Sequence, residues 1–247
     1  MAMFRKGRYR TRSAETQADI RAAQRLRHIA FRHDDDPDGT DADAYDGFCT
    51  HILVEEVATG RLVCCFRMLP LSDGGEIERS YSAQFYELSS LRAFAGPMVE
   101  MGRFCIDPQA RDPDIVRVAW AAMTRFVDAH GVEMLFGCSS FKGTDAELYA
   151  DAFAVLKDRH LAPRHWWPRV KAPSVVRFAQ KLRRRKPDAR LAMLRMPPLL
   201  RTYLAMGGWV SDHAVIDAHM NTLHVFTGLE IAAIPPTRKR LLRAVAS

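Results

Sequence analysis

The sequence lacks a long apolar run, a cysteine framework and a secretory leader. None of its apolar stretches approaches the roughly 20 residues that a membrane-spanning helix needs. Five cysteines, at positions 49, 64, 65, 105 and 138, show no metal-ligand spacing, and their odd number favours reduced thiols in a cytosol. The basic start, MAMFRKGRYRTR, has no apolar stretch after it. These features predict a cytoplasmic globular protein that binds no metal.

Charge is strongly segregated along the chain. Residues 33–50 contain seven aspartates and no Lys or Arg, whereas residues 157–201 contain fourteen Lys or Arg against Asp158 and Asp188. The net charge of +7 therefore hides an acidic segment and a basic lobe. Such a division suggests a different partner for each, although solubility alone explains any single charge.

Hydrophobic periodicity predicts an α/β fold with a largely antiparallel front half. Strands are expected at 51–57, 62–69, 97–107, 132–140 and in much of 213–234; helices are expected at 19–33, 112–130, 144–158, 174–185 and 197–206, with a short one near 82–91. Asp19 and Asp112 are the predicted N-caps, and Gly131 ends the second helix. The strand–helix–strand unit of 99–140 implies a right-handed crossover. We expect one domain over residues 1–247, with a core of about 15–160 and an extension of about 161–240.

The segment VEMGRFCIDP, residues 99–108, carries an acid and a base within a predicted strand. Strict alternation places Glu100 and Arg103 on opposite faces, but a bulge at Gly102 would bring them together and release backbone N–H groups. Glu100 could then take a proton from an amine, while the N–H groups of Phe104, Cys105 and Ile106 hold an oxyanion. A plain cross-strand ion pair fits this segment equally well.

A series of motifs resembles known acyltransferases. Arg27 and Phe31, DADAYD (41–46), FRMLP (66–70) and VEMGRF (99–104) follow in the order and with the gaps of acyl-homoserine-lactone (autoinducer) synthases, which take acyl chains from acyl carrier protein. Two longer stretches, SFKGTDAELYADAFAVLKDRHLAP (140–163) and PPLLRTYLAMGGWVSDHAVIDAHMNTLHVF (197–226), resemble the L-ornithine Nα-acyltransferases of ornithine-lipid synthesis. The second resemblance spans roughly residues 20–230.

This resemblance implies a GNAT-like acyltransferase fold, in which helices flank a mixed, mostly antiparallel twisted sheet with a bulged central strand, followed here by the basic C-terminal lobe. It implies transfer of a 3-hydroxyacyl chain to the α-amine of L-ornithine, or of glutamine, giving a lyso-ornithine lipid in the first case. Glu100 is the expected base, and burial near Met98 and Phe104 is expected to raise its pKa. The residues expected to bind substrate are Arg27, Phe31, Asp43, Asp46, Arg67 and Arg103.

The roles of the charged residues remain open at this point. Either Arg67 or Arg103 is expected to grip the substrate carboxylate, and Asp43 and Asp46 to hold an ammonium group. Alternatively, the aspartates form salt bridges with Arg27 and Arg103 that shape the pocket.

The acyl donor is expected to be acyl carrier protein. Most GNAT enzymes have a glycine-rich loop for coenzyme A after the bulged strand, but DPQARDPD (107–114) has no glycine and three aspartates. No bound cofactor is therefore expected, because the phosphopantetheine arrives on the carrier.

The basic lobe is expected to dock the acidic carrier protein or an anionic membrane, peripherally on the inner face of the cytoplasmic membrane. Trp166 and Trp167 are placed near that interface. Nucleic acid ranks last, since the segment lacks interleaved aromatic residues. The basic residues in question are Arg177, Lys181, Arg183, Arg184, Arg185 and Lys186.

Two other readings stay open. An autoinducer synthase would have a tryptophan where this chain has His33 to Pro37, and a binding module would have no need of a base beside a bulged strand. His213, His219 and His224 fit no common zinc spacing and are interpreted as structural.

Overall fold

The computed structural model describes residues 4–31, 36 and 38–246. The predicted end of the first helix at residue 33, and the first two aspartates of the acidic segment, lie outside the described residues. So does most of the stretch 33–37, which stands where autoinducer synthases have a tryptophan.

Twelve strands and seven α-helices make up the described regular structure. The strands are β1 (Phe4–Lys6), β2 (Tyr9–Ser13), β3 (Thr50–Glu56), β4 (Leu62–Leu71), β5 (Tyr86–Glu87), β6 (Met98–Ile106), β7 (Met134–Lys142), β8 (Arg169–Val170), β9 (Val175–Val176), β10 (Trp209–Val210), β11 (Ala214–Asp217) and β12 (Thr222–Glu230). The helices are α1 (Gln17–Phe31), α2 (Asp114–Ala129), α3 (Ala150–Arg159), α4 (Phe178–Lys181), α5 (Ala189–Arg195), α6 (Pro198–Ala205) and α7 (Pro236–Ala246).

The chain forms two compact units, each built from discontinuous segments. Unit 1 takes residues 1–70, 101–132 and 236–247, and unit 2 takes residues 71–100 and 133–235. Strand β6 passes from unit 2 into unit 1 after Glu100. The predicted division at about residue 160 remains a prediction, and the units do not follow it.

In unit 1 the strands lie in the order β1, β2, β3, β4, β6, and the first four pair antiparallel. Helix α1 buries Ala23 and Leu26 against Leu53, Cys65 and Cys105 from the strands. Helix α7 packs on α2. This apolar support fixes α1 and β6, the two elements that carry most of the predicted arginines.

In unit 2, β7 pairs antiparallel with β12 along nine residues, from Met134 to Lys142. The unit 2 part of β6 pairs with β7 in parallel, from Met98 to Glu100. Strands β11 and β9 follow β12 in order, and β10 also pairs with β12. The parallel β6–β7 pair confirms the predicted strand–helix–strand crossover.

Several local predictions are confirmed. Strands β3 and β4 form the predicted hairpin, with Gly60 at φ +72° in the turn. Helix α2 starts where Asp112 accepts a hydrogen bond from the Asp114 backbone N–H, and Gly131 follows its end at φ +59°. Helix α6 and the two long strands of the tail lie within their predicted ranges.

Other local predictions are wrong. Thr16, not Asp19, caps α1, because its hydroxyl accepts from the Asp19 N–H while the Asp19 carboxylate accepts from the Thr16 N–H. The helix predicted at 144–158 begins only at Ala150, after a 3-10 turn. Residues 82–91 form two 3-10 turns separated by β5 and not an α-helix. Their backbone hydrogen bonds join residues three apart, as in a 3-10 helix.

The predicted basic helix at 174–185 is also wrong. Val175 and Val176 are instead strand β9, paired with Ala214 and Val215, and only the four residues of α4 are helical. Two adjacent β-branched residues fit a strand better than a helix. Phe178 stacks on Phe153, with ring centroids 4.9 Å apart, so its burial reflects tertiary packing and not helical amphipathicity.

Within residues 4–31, 36 and 38–246, no helix is both long and apolar enough to cross a bilayer.

Candidate functional site

Glu100, the predicted base, is the last residue of β6 in unit 2 and is only 5% exposed. Its Oε1 accepts from the Ser82 backbone N–H at 2.7 Å and from the Ser82 hydroxyl at 2.6 Å, and its Oε2 accepts from the Tyr81 N–H at 2.7 Å. Donors of this kind favour the ionised carboxylate, which is the form a base requires. The carboxylate is therefore held in a fixed orientation.

The donors come from a 3-10 turn at Ser82–Gln84. Ser80 braces this turn: its hydroxyl accepts from the Ala83 N–H and donates to the Ile77 carbonyl. Ser82 Oγ also lies 3.4 Å from the Sγ of Cys138 on β7. Both Ser80 and Ser82 are fully buried, so the turn presents preorganised donors to Glu100.

In unit 1, three arginines and three aspartates form a buried ion network. Arg27 Nη1 and Nη2 bind the Asp46 oxygens at 2.8 and 2.7 Å. Arg67 binds both oxygens of Asp43 at 2.5 and 2.8 Å and also reaches Asp46 at 2.8 Å. The full set is Arg27, Arg67, Arg103, Asp41, Asp43 and Asp46, with formal charges that cancel.

Arg103 joins this network from β6, where its Nε binds Asp41 at 2.8 Å and its Nη2 lies 3.2 Å from Asp43. The pairings match the salt-bridge role that the sequence left open for the aspartates. Contact between these residues and substrate stays a prediction.

Accessibility differs within the network. The Asp43 side chain is 22% exposed and that of Arg103 is 13% exposed, whereas the other four are more deeply buried. The two more accessible members, one anion and one cation, contact each other.

Two of the network carboxylates, those of Asp43 and Asp46, are held ionised. Burial raises the pKa of Asp46, but hydrogen bonds from Arg27 and Gln24 and the charge of Arg27 more than offset it, so the pKa lies below its ordinary value. Burial likewise opposes ionisation of Asp43, and Arg67 and Arg103 bring its pKa below the ordinary value. Asp43 and Asp46 thus stay charged near neutral pH.

The left-handed residue on β6 is Arg103, which has φ +53°, and not Gly102. A non-glycine residue in the left-handed region is strained and persists only where its surroundings hold it. Here the ion pairs to Asp41 and Asp43 hold the side chain. A left-handed residue directly after Gly102 places an irregularity in the strand where the sequence predicts one, and the bulge at Gly102 itself stays a prediction.

The rest of β6 is packed among apolar side chains. Phe104 stacks on Phe66 with ring centroids 5.6 Å apart, and Cys105 Sγ lies 3.5 Å from Cys65 Sγ. Phe31, a predicted substrate contact, packs beside the Cys65–Cys105 cluster. The oxyanion role of the Phe104, Cys105 and Ile106 N–H groups stays a prediction.

The aspartates around the start of α2 are each paired with an arginine. Asp112 pairs with Arg8, Asp107 with Arg61, and Asp114 with Arg117. The Asp112 carboxylate also accepts from the Asp114 N–H, one of the donors that a helix N-terminus would offer an anion.

The predicted docking residues divide into two groups. Lys181 pairs with Glu147, and Arg185 forms a bidentate pair with Asp151 at 3.0 and 3.1 Å. The remaining four are exposed and form no ion pair with any residue that the structure describes: Arg177, Arg183, Arg184 and Lys186.

Sequence reasoning missed Asp41, Gln24 and Ser82 as partners of the charged groups. Asp41 had a usable signal, because DADAYD places it two residues before Asp43. Gln24 lies one helical turn before Arg27, which is also readable. Ser82 had none, since its contact with Glu100 joins residues eighteen apart through an irregular turn.

Two of the histidines are buried in unit 2, as expected of structural residues. His224 Nδ1 lies 3.1 Å from the Tyr86 hydroxyl, which itself donates to the His224 carbonyl, so Nδ1 carries the proton. His213 Nδ1 lies 2.6 Å from Asp212. In the part of the chain that is described, no group of three or more His, Cys, Asp or Glu is arranged to hold a metal.

Comparison with known proteins agrees with this architecture. The acetyltransferase (GNAT) domain family matches residues 26–121. An L-ornithine N(alpha)-acyltransferase of Rhodobacter capsulatus is 32% identical over 92% of this chain and 91% of its own. An acyl-homoserine-lactone synthase of Agrobacterium fabrum is 39% identical, but over 28% of this chain and 32% of its own.

Among solved structures, an N-acyl amino acid synthase from uncultured soil microbes shares the fold. Its TM-score is 0.51 at 11% identity, and the match covers 91% of this chain and 92% of that one. The α/β, GNAT-like fold is thereby confirmed.

Proposed function

The chain belongs to the L-ornithine Nα-acyltransferase family, and on that premise we propose that it transfers a 3-hydroxyacyl chain from acyl carrier protein to the α-amine of L-ornithine, giving a lyso-ornithine lipid. Membership makes it an acyltransferase. The single observation that carries the proposal from family to site is the buried Glu100 carboxylate with its three donors.

The reaction joins an amine to a thioester carbonyl. The α-ammonium loses a proton, the free amine attacks the carbonyl carbon, and the C–S bond breaks to leave an amide and the carrier thiol. Glu100 accepts the proton, directly or through water. The thiolate has a pKa near 8.5 and needs little help to leave. Ser82 and the Tyr81 N–H act as positioning groups, because they hold Glu100 and not the substrate.

The more accessible pair of the ion network, Arg103 and Asp43, supplies the acceptor site. Arg103 is the more exposed of the two candidate arginines and takes the α-carboxylate of ornithine. Asp43, the most exposed carboxylate, takes the side-chain ammonium. Asp46, Arg27 and Arg67 then act as the buried support of this pair.

Acyl carrier protein is favoured as donor because the start of α2 offers coenzyme A no glycine-rich loop. Asp112 there already accepts from the Asp114 N–H, a donor that a pyrophosphate would otherwise use. A carrier-bound pantetheine brings one phosphate.

A thiol-release assay tests the proposal. Purified protein receives 3-hydroxyacyl carrier protein with ornithine, glutamine, or S-adenosylmethionine, and in parallel the same acyl group on coenzyme A. We expect thiol release with ornithine and the carrier, and at least a 100-fold loss in Glu100→Gln. Glu78→Gln, an exposed glutamate of the same unit, is the matched control.

Other outcomes separate the alternatives. Release only with glutamine retains the mechanism and changes the acceptor, and release with coenzyme A overturns the donor. Release of methylthioadenosine with S-adenosylmethionine reveals an autoinducer synthase. No release from folded protein with any acceptor supports a lipid- or carrier-binding module instead.

A further inference from the structure

Helix α5 in unit 2 exposes three large apolar side chains within four positions. Leu191 is 46% exposed, Met193 is 54% exposed and Leu194 is 72% exposed. Ala192 and Met196 are buried against the core of the unit, and Leu194 lies about 200° around the helix from Ala192. The apolar residues therefore cover the outer face of the helix and do not contribute to the core.

Exposed cations lie on α5 and in the segment that precedes it. Arg190 and Arg195 lie on α5 itself, and Arg183, Arg184 and Lys186 precede it. All five are exposed, and none forms an ion pair with a residue in the described ranges 4–31, 36 and 38–246. Single exposed apolar residues are ordinary, but a group of them within a cluster of unpaired cations marks a binding surface.

We infer that α5 and residues 183–186 dock the protein on an anionic phospholipid bilayer, with Leu191, Met193 and Leu194 entering the interface. Guanidinium groups pair with lipid phosphates in bidentate fashion, and short basic helices with an apolar face lie flat at such surfaces. The inference deepens the proposed function and rests on it in one respect: the acylated product belongs in a bilayer.

A bilayer fits this surface better than a carrier protein does. The three apolar side chains are exposed on the outer side of α5. A fluid interface accommodates such side chains without a complementary pocket. Trp166 provides no competing anchor, because its indole donates to Glu230 and its ring packs on Phe94.

Vesicle flotation tests the inference without the reaction. The full chain is mixed with vesicles of phosphatidylglycerol and phosphatidylcholine, or of phosphatidylcholine alone. We expect binding only to the anionic vesicles, with partitioning reduced at least about tenfold in Leu191→Ser/Leu194→Ser and in Arg190→Gln/Arg195→Gln.

Helix α7 provides matched controls, because it is also basic and exposed. Leu241→Ser and Arg238→Gln/Arg240→Gln remove an exposed leucine and two exposed arginines there, and should retain binding. Equal loss in both helices means attraction by net charge and overturns the inference. So does unchanged vesicle binding with a raised KM for carrier protein in the α5 variants, which assigns the surface to the carrier.

Thiol release separates this inference from the proposed function. The α5 variants are expected to release thiol from soluble substrates at the unmodified rate. Vesicle binding without thiol release would support the docking surface and contradict the proposed reaction.

Discussion

Ser82 orients the Glu100 carboxylate through two donors, its backbone N–H and its hydroxyl. A hydrogen bond to a charged group is worth roughly 1.5–3 kcal/mol. The loss of the hydroxyl also removes a donor that favours the ionised form. The substitution Ser82→Ala is therefore informative about the base without removing it.

We expect Ser82→Ala to lower kcat/KM by about 10- to 100-fold and to move the acidic limb of its pH profile to higher pH. The profile is measured by thiol release from pH 5 to 9. Ser174→Ala, an exposed serine of the same unit, is the control. An unshifted limb would show that the hydroxyl does not act on the base.

His224 makes a second prediction at this scale. Burial lowers its pKa to about 4, whereas the unfolded chain titrates near 6.5. Between these values the unfolded state binds the proton and the folded state does not. The stability that a neutral His224 provides is thus complete above pH 6.5 and lost as the pH falls toward 4, by about 3 kcal/mol.

In His224→Asn that loss should disappear. The free energy of unfolding of the variant, measured by urea unfolding, should therefore fall less between pH 7 and pH 4 than that of the parent protein. Burial also lowers the pKa values of His51 and His160, and their contributions persist in both proteins. The exposed His165→Asn is the control. Parallel curves for the variant and the parent would contradict the prediction.

At the scale of the element, the left-handed backbone of β6 and the space for a side chain at Gly102 are two separate questions. Gly102 was expected to be required for a bulge, but the left-handed residue is Arg103. A Cβ at position 102 would lie 3.7 Å from Arg67 Nε, which is an ordinary contact. By contrast, a Cβ on Gly74 would collide with the Leu91 carbonyl oxygen.

We therefore expect Gly102→Ala to change the free energy of unfolding by less than about 1 kcal/mol. Any change toward higher stability would come from the lower conformational entropy of the unfolded chain with alanine. Gly74→Ala should destabilise by more than that, because backbone atoms must shift. Urea denaturation of both variants decides the point. A large loss in Gly102→Ala would mean that the glycine itself is required.

Elements also explain what the sequence could and could not predict. Period-2 and period-3.6 patterns located the β3–β4 hairpin, α2 and β6, because these elements bury one regular face. The pattern at 174–185 misled because Phe178 and Leu182 pack into a core assembled from α3 and α6, so their spacing imitates a helix. At the site, the sequence identifies the charged residues. It does not identify the partners of Glu100 and Arg103, because those contacts join residues far apart in the sequence.

The division of the chain at about residue 160 stays a prediction, but contacts within each compact unit cross that residue. Strand β12 pairs with β7 along nine residues, and α7 packs on α2. Both partners of the C-terminal elements lie before residue 160. Each compact unit therefore closes only when the end of the chain returns to it.

A chain of residues 1–160 should accordingly fail to unfold cooperatively, since β7 becomes an unpaired edge and α2 loses its cover. Thermal circular dichroism and size exclusion measure this, with the full chain as reference. A chain of residues 1–235, which loses α7 alone, is the intermediate control. A sharp transition in the 1–160 chain would establish an independent core.

The neutral ion network also restricts how this protein can evolve. Breaking one buried pair costs roughly 3–5 kcal/mol, because a charge is left without its partner, and that is a large share of the stability of a typical domain. Asp46 forms salt bridges with both Arg27 and Arg67, so a single substitution of Asp46 leaves two arginines without this partner. Substitutions should therefore accumulate in compensating sets or not at all, and the six residues should be inherited as a block while the surrounding surface drifts.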